Sequence, residues 1–178
     1  TFYRHPSSEL GKITGTDLLF NPTGLRFDPV RSAIAFFVAE ILQQCIQTDL
    51  EDEPLFNFLD KTVREIDNTE DLRLYPTRFL MEFSFHLGIG PSVDEDNASY
   101  FDLQEGIFSN HLIAGHLTAD GKVAHLLRSL ADGELEQTEE LLALRKEAFE
   151  TMLKFYSVHI PRFNVDASLE IIRALLYH

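Results

Sequence analysis

The sequence has 178 residues, of which 44% are hydrophobic, and its 29 Asp and Glu residues against 15 Lys and Arg give a formal net charge of −14 at pH 7. This apolar content, which includes 15 Phe, is enough to build the core of one domain and excludes an intrinsically disordered chain. The acidic balance excludes tight binding of the whole chain to DNA or to anionic lipid head groups, because its negative field repels phosphate.

The segment 1–27 differs from the rest of the chain, because turn residues such as Gly11 and Gly24 separate short apolar stretches. This pattern predicts one or two strands, which we interpret as the remnant of a preceding β domain and its linker. Because the sequence begins at Thr1 without methionine, we expect it to be part of a longer protein. The remaining residues, 28–178, form the predicted helical domain.

Two helices are predicted in the first part of this domain. Asp28 followed by proline is a favourable helix start, and apolar residues at steps of three and four predict a helix to about residue 48. An acidic linker over residues 48–53 follows. Pro54 then opens a second helix, which continues to about Ile66.

A third helix is predicted over residues 71–87, where aromatic and apolar residues share one stripe and Gly88 is placed to stop the helix. Pro76 is unfavourable inside a helix, so the regular part can instead begin near it. The segment 92–99 is polar and predicts a loop. The aromatic stretch after it predicts a hairpin of two short strands around residues 104–106.

Three further helices are predicted in the second half of the chain. One covers residues 119–131 and ends before Gly133. The next is capped by Thr138 and continues to His159 along the longest apolar stripe in the sequence. A short last helix covers residues 167–176. The predicted fold class is therefore mainly α, a helical, bundle-like domain with a short β-hairpin.

No pattern in the sequence indicates an enzyme or a metalloprotein. His111, His116 and His125 lie close together, but their spacing matches no zinc motif and is typical of loop and surface histidines. The acidic segment 94–105 lacks an oxygen ligand and the glycine that a calcium loop needs. Cys45 lies on an apolar helical face, where a thiol packs as a small hydrophobe. We predict no catalytic residue, no metal and no cofactor.

The segment 61–78 is locally neutral in a strongly acidic chain. Lys61, Arg64 and Arg78 lie on or beside the second and third predicted helices. If these helices pack as neighbours, the three cations border an apolar groove that can accept an acidic peptide with an aromatic end. The alternative is that these side chains are solvated and pair with neighbouring acids.

Several short motifs occur in a fixed order along the chain. They are residues 31–35, 39–42, 55–59 and 86–88, the stretch YFDLQEGIF at 100–108, and Tyr156 with His159. Their order and gaps resemble those of the RecO family of bacterial recombinational repair proteins, over nearly all residues from about 9 to 176. The resemblance implies an OB-type β-barrel before the helical domain, so residues 1–27 are expected to be the remnant of a barrel that is otherwise missing and that carries most of the DNA-binding charge.

The resemblance implies a non-enzymatic, cytoplasmic and nucleoid-associated mediator of DNA recombination and repair. Such a protein helps RecR to load RecA on single-stranded DNA that is coated by single-stranded DNA-binding protein (SSB). Members recognise the acidic, phenylalanine-ended tail of SSB through the helical domain. We therefore expect the SSB tail, RecR and DNA to be the partners, DNA mainly through the missing barrel, and no membrane. The residues expected to bind the tail are Lys61, Arg64, Arg78 and Phe79.

The sequence departs from the family pattern in two places. Many members carry a four-cysteine zinc site after the Leu-Gly turn, whereas residues 93–99 here are acidic and contain no cysteine, so a metal is not carried over. Arg162 and Ala167 stand where the family often has glycine and lysine, which argues against a DNA contact there. The alternative interpretation is a generic helical protein-interaction domain unrelated to DNA repair, which needs no basic barrel upstream.

Overall fold

A computed structural model of the chain describes residues 2–3, 11–46, 51–94, 98–133 and 138–177. The described helices are α1 (Thr23–Phe27), α2 (Pro29–Cys45), α3 (Glu53–Asn68), α4 (Tyr75–His86), α5 (Gly121–Asp132), α6 (Glu139–Ala143), α7 (Arg145–His159) and α8 (Asp166–Leu176). The described strands are β1 (Phe2–Tyr3), β2 (Lys12–Ile13), β3 (Ser92–Val93), β4 (Tyr100–Asp102), β5 (Ile107–Ser109) and β6 (Thr118–Asp120). The predicted class, mainly α, is confirmed. None of these helices is long and apolar enough to cross a membrane.

The strands form two small sheets within the described residues. β1 and β2 pair antiparallel in the segment where one or two strands are predicted. That they are the remnant of a barrel stays a prediction, and residues 4–10 lie outside the described part. The other four strands are ordered β3-β5-β4-β6. The centre of this four-stranded sheet is the predicted hairpin, in which β4 and β5 are antiparallel and Phe101 lies opposite Phe108.

The starts of α2, α3 and α4 follow from their first residues. The Asp28 carboxylate accepts a hydrogen bond from Val30 N at 2.8 Å, which confirms the predicted cap of α2. The Asp52 carboxylate caps α3 in the same way, so this helix begins at Glu53, one residue before the predicted Pro54. Pro76 lies in the first turn of α4, where its missing N–H leaves no bond unmade.

The long helix predicted from Thr138 to His159 is two helices, α6 and α7, which meet at Leu144. Leu144 N donates to Leu141 O at 3.0 Å, so the chain makes a tighter turn there. The Arg145 guanidinium donates to Leu142 O at 2.8 Å and to Leu176 O at 3.0 Å. The break is therefore tied to the end of α8, which the apolar stripe alone does not reveal.

Three further elements differ from the predicted ones. The helix predicted from about residue 119 begins instead at Gly121, because Thr118–Asp120 is strand β6, paired with the free edge of β4. The predicted loop 92–99 contains β3, which pairs in parallel with β5, while residues 95–97 lie outside the described part. Helix α1 is absent from the predicted elements, and it is held by Asp67 of α3, which accepts from Leu25 N at 2.7 Å.

The core is formed mainly by α2, α4, α5, α7 and the hairpin. Phe155 and Tyr156 of α7 are fully buried, and the Tyr156 hydroxyl donates to Leu80 O of α4 at 2.8 Å. The Phe101 ring lies 4.6 Å from that of Phe108 and 5.4 Å from that of Phe155, centroid to centroid. The aromatic hairpin thus packs against helix α7.

One carboxylate of α2 holds the first turn of α8. Glu40 of α2 accepts hydrogen bonds from Ala167 N at 3.2 Å and from Ser168 N at 2.9 Å, and the Ser168 hydroxyl also donates to it. These are N–H groups of the first turn of α8, which have no partner within the helix. Ala167 therefore helps to dock the last helix.

Candidate functional site

Helices α3, α4 and α5 border a polar cleft of about 230 Å³. Lys61 and Glu65 come from α3, Tyr75, Arg78 and Glu82 come from α4, and Leu130 closes the far side from α5. Spacings of four residues in Lys61–Glu65 and Arg78–Glu82 put each pair on one helix face. The second and third predicted helices are therefore neighbours, and their packing brings Lys61 and Arg78 together. The space between the helices is a polar cleft and not the apolar groove that the sequence predicts, because charged side chains of both helices line it.

Glu65 is the common acceptor of the cleft. Its carboxylate forms an ion pair with the Arg78 guanidinium, and its Oε1 lies 3.5 Å from Lys61 Nζ. The Tyr75 hydroxyl lies 3.3 Å from Glu65 Oε2 and 3.1 Å from Thr62 O. Three donors, one ammonium, one guanidinium and one hydroxyl, therefore converge on a single carboxylate.

Arg78 is fixed by several contacts at once. Its guanidinium lies over the Tyr75 ring, 4.9 Å from the centroid, and its Nε lies 3.3 Å from Glu82 Oε1. That geometry is an ion pair but not a hydrogen bond, so the buried Nε has no hydrogen-bond acceptor. Arg78 is thus held by acids of both helices, with its Nε buried against Glu82.

The raised pKa of the Tyr75 hydroxyl keeps a hydrogen-bond donor in the cleft. Burial raises the pKa of the Tyr75 hydroxyl, and the nearby Glu65 carboxylate raises it further. Tyr75 therefore stays protonated and keeps its hydrogen for an acceptor. At the rim, the Arg73 guanidinium donates to Asp71 and lowers the pKa of that carboxyl, so Asp71 stays charged and paired.

The four residues predicted to bind a partner do not share one position. Lys61 and Arg78 line the cleft. Arg64 does not line it, but pairs with Asp60 at 2.8 Å and lies 4.8 Å from the centroid of the Phe20 ring. The Arg64 hydrogen bond lowers the pKa of Asp60. These pairs agree with the alternative in which the cations pair with neighbouring acids.

Phe79 lies beneath the cleft rather than on its surface. It is 2% exposed, and its ring lies 5.9 Å from that of Phe58 and 5.4 Å from that of Phe83. It packs α4 against α3 and so positions the helices that carry Arg78 and Lys61. The role of Phe79 in binding a partner stays a prediction.

Several cleft residues escaped the sequence reasoning, Tyr75 and Glu65 among them. Tyr75 is part of a predicted apolar stripe, and Glu65 counts there only as a charge that offsets nearby cations. The four-residue step from Lys61 to Glu65 was a usable signal for one contact. Nothing local indicates the contact with Arg78, because that depends on how α3 and α4 pack.

The histidines and the cysteine have structural surroundings. His116 Nδ1 lies 2.7 Å from Asp102 Oδ2, and His159 Nε2 donates to Leu103 O at 2.8 Å. Burial raises the pKa of the Cys45 thiol to about 11, so this thiol is unreactive near neutral pH. In the part of the chain that the structure describes, no three His, Cys, Asp or Glu residues are grouped to hold a metal ion.

A second, larger groove of about 570 Å³ lies between α2 and α8. It is mainly apolar, and Phe36 on its wall is 71% exposed. Its carboxylate, Glu40, is already occupied by the first turn of α8. The groove therefore offers area but few groups that orient a ligand, which is why we place the candidate site at the cleft.

Comparison with known proteins places the chain in a family. The family model described as recombination protein O C terminal matches residues 26–168. A DNA repair protein RecO of Flavobacterium johnsoniae is 29% identical over 150 residues, which are 83% of this chain and 62% of that protein. A DNA repair protein RecO of Bacteroides fragilis is 29% identical over 181 residues, which are 96% of this chain and 73% of that protein.

A third relative, the DNA repair protein RecO of Christiangramia forsetii, is 25% identical over 167 residues, which are 92% of this chain and 67% of that protein. No solved structure matches the chain significantly. The chain thus spans 62% to 73% of the length of these three relatives. Since the family model covers most of the helical domain, this chain belongs to the family of the C-terminal domain of recombination protein O, a DNA repair protein.

Proposed function

We propose that the chain is the helical part of a non-enzymatic recombination mediator. It binds the acidic, phenylalanine-ended tail of SSB and helps RecR to load RecA onto SSB-coated single-stranded DNA. Membership of a DNA repair family supports the repair role. The observation that supports tail binding is the convergence of Lys61, Tyr75 and Arg78 on one carboxylate position in the cleft. No observation favours an interaction domain unrelated to repair.

The four predicted residues act in different ways in this proposal. Arg78 and Lys61 donate to carboxylates of the tail, where charge-assisted bonds are stronger than neutral ones. Phe79 acts indirectly, because its buried ring holds α4 against α3. Arg64 contributes only to the local potential, since it lies outside the cleft and is paired with Asp60.

We also propose that DNA is bound mainly by a basic barrel outside this chain. The formal charge of −14 makes the chain repel phosphate. The protein acts in the cytoplasm at the nucleoid, where SSB, RecR and DNA meet. The chain alone should not retard single-stranded DNA in a gel at a salt concentration where the longer protein does.

Tail binding is tested with Arg78→Ala. A fluorescent peptide with the SSB tail sequence should bind the chain, and the substitution should weaken binding about tenfold to a hundredfold. A hydrogen bond to a charged group contributes about 1.5–3 kcal/mol, and 1.4 kcal/mol is tenfold in affinity. Fluorescence anisotropy measures the dissociation constants, and thermal unfolding monitored by circular dichroism shows that the variant is folded.

Arg64→Ala is the matched control, because it removes the same side chain from the same region but not from the cleft. It should change the affinity by less than about threefold, as expected for an exposed ion pair. Equal losses in both variants would show that net charge, not the cleft, drives binding. Absence of binding by the full-length protein would refute the proposed function.

A further inference from the structure

The carboxylate of Glu65 has the contacts that a bound peptide carboxylate would need. It forms ion pairs with the Arg78 guanidinium and the Lys61 ammonium, and it lies within hydrogen-bond distance of the Tyr75 hydroxyl. Its own side chain is partly exposed at 27%, and that of Arg78 at 32%. An acid of the chain itself therefore already contacts the donors that an acidic partner would need.

We propose that Glu65 is a built-in competitor of the acidic ligand, and that binding exchanges the Glu65 carboxylate for a carboxylate of the peptide on Arg78 and Lys61. This rests on the proposed function of the cleft. The exchange replaces one ion pair by another of the same chemistry, so part of the free energy that the peptide gains on Arg78 is offset by the loss of the Glu65 contact. Glu65 thereby keeps the affinity low and the complex readily reversible.

The exchange is physically accessible because the contacts of Glu65 are partly exposed. Ion pairs at a protein surface contribute little, since water and salt screen them and long side chains lose entropy when they are held. Glu65 lies inside α3, and a rotation about its side-chain bonds turns the carboxylate to solvent without moving the helix. The Tyr75 hydroxyl retains Thr62 O as its acceptor at 3.1 Å when Glu65 leaves.

Arg78 is suited to receive the incoming carboxylate. Its side chain is 32% exposed, and Glu65 contacts it through Nη2. The Nε is buried and faces Glu82 of the same helix at 3.3 Å, so it is not open to a ligand. A peptide carboxylate therefore competes with Glu65 for the Nη side of the guanidinium, where arginine binds carboxylates through parallel N–H groups.

Glu65→Gln tests the exchange. The substitution keeps the shape of the side chain but removes the charge that competes for Arg78, so the SSB-tail peptide should bind about fivefold more tightly than to the wild-type chain. Asp60→Asn is the matched control, since it removes one negative charge from the same helix at a pair outside the cleft. Titration of the labelled peptide by fluorescence anisotropy measures both variants, with thermal unfolding as the check on folding.

The peptide is used in two forms, with a free C-terminal carboxylate and with a C-terminal amide. If the gain in Glu65→Gln disappears with the amide, the exchanged group is the terminal carboxylate. If the gain persists, the group is an aspartate side chain of the tail. Both outcomes support the exchange and separate its two sources.

Other outcomes separate the inference from the proposed function. If the wild-type chain binds the peptide, and Glu65→Gln binds no more tightly than Asp60→Asn, the exchange is wrong while the function of the cleft stands. If neither the wild-type chain nor any variant binds the peptide, the proposed function is wrong, and the exchange falls with it.

Discussion

Asp102 and Glu65 are two of the carboxylates in this molecule that collect several donors, and their surroundings differ. Asp102, at the hairpin turn, accepts from Gln104 N at 2.9 Å and Glu105 N at 3.1 Å, and also contacts His116. Glu65, in the cleft, is surrounded by donors on long side chains. The Asp102 side chain is 5% exposed and that of Glu65 is 27% exposed.

The difference separates a structural carboxylate from an exchangeable one. The donors of Asp102 are mainly backbone N–H groups, which are fixed by the hairpin and have no other partner in the turn. The donors of Glu65 can rotate, and water reaches them. A buried hydrogen bond that is broken leaves an unsatisfied group, whereas an exposed one is replaced by water. Asp102 therefore holds the fold, while Glu65 is free to yield to a ligand.

The largest expected effect extends the comparison to two aromatic rings, the buried Phe101 of the hairpin and the exposed Phe56 of α3. Phe101→Ala should lower the free energy of unfolding by about 4 kcal/mol, because a fully buried ring leaves a cavity. Urea denaturation monitored by circular dichroism measures it. Phe56→Ala is the control on α3, where the ring is 69% exposed, and should change stability by less than about 0.5 kcal/mol. Similar losses for both would contradict the placement of the hairpin in the core.

Substitution of the two carboxylates gives the next largest loss in the free energy of unfolding. Asp102→Ala should lower the free energy of unfolding by about 3 kcal/mol, since it leaves two backbone N–H groups and His116 without their acceptor. Glu65→Ala should lower it by less than about 1 kcal/mol, as expected for partly exposed ion pairs. The same urea experiment compares them. A larger loss for Glu65 would mean that this residue, too, is structural.

Tyr75→Phe should lower the free energy of unfolding by about 1 kcal/mol at neutral pH, less than Phe101→Ala or Asp102→Ala, because the hydrogen bonds of the hydroxyl are lost. It also changes the pH dependence. The pKa of Tyr75 is raised in the folded state by burial, so its contribution is complete below the ordinary value near 10 and is lost as pH rises toward the folded value. Stability measured by urea from pH 8 to 11 should fall less steeply in the variant. Equal slopes would contradict the burial of this hydroxyl.

Local chemistry predicted most of the helices. Asp28 and the following proline define the start of α2, and Gly133, with φ of 72°, ends α5 as expected for a left-handed C-cap. The hairpin follows from the aromatic strands around Gly106, whose φ is 65°. These features depend on residues adjacent in sequence, so the sequence contains the information.

Other features depend on distant residues and could not be read locally. Strand β3 pairs in parallel with β5, although strand β4 lies between them in the sequence. The break at Leu144 is fixed by Arg145, which donates a hydrogen bond to Leu176 O at the end of α8. In the cleft, the sequence indicates the cations Lys61 and Arg78. It does not indicate that Glu65 takes both, because that requires the packing of α3 on α4.

Arg162 adopts a backbone conformation that favours glycine. Its φ is 61°, in the left-handed region. Glycine adopts this conformation without steric penalty, whereas other L-residues pay about 1–2 kcal/mol. The turn after α7 therefore holds Arg162 in a strained conformation.

The attachment of α8 by Glu40 has a consequence for the order of folding. Glu40 and Ser168 are 128 positions apart, so their contact closes a loop of most of the chain. Closing a long loop is entropically unfavourable and slow, and it gains free energy only when both ends are ready to pack. We therefore expect α8 to dock late, after α2 has joined the core, during synthesis as well as after dilution from denaturant.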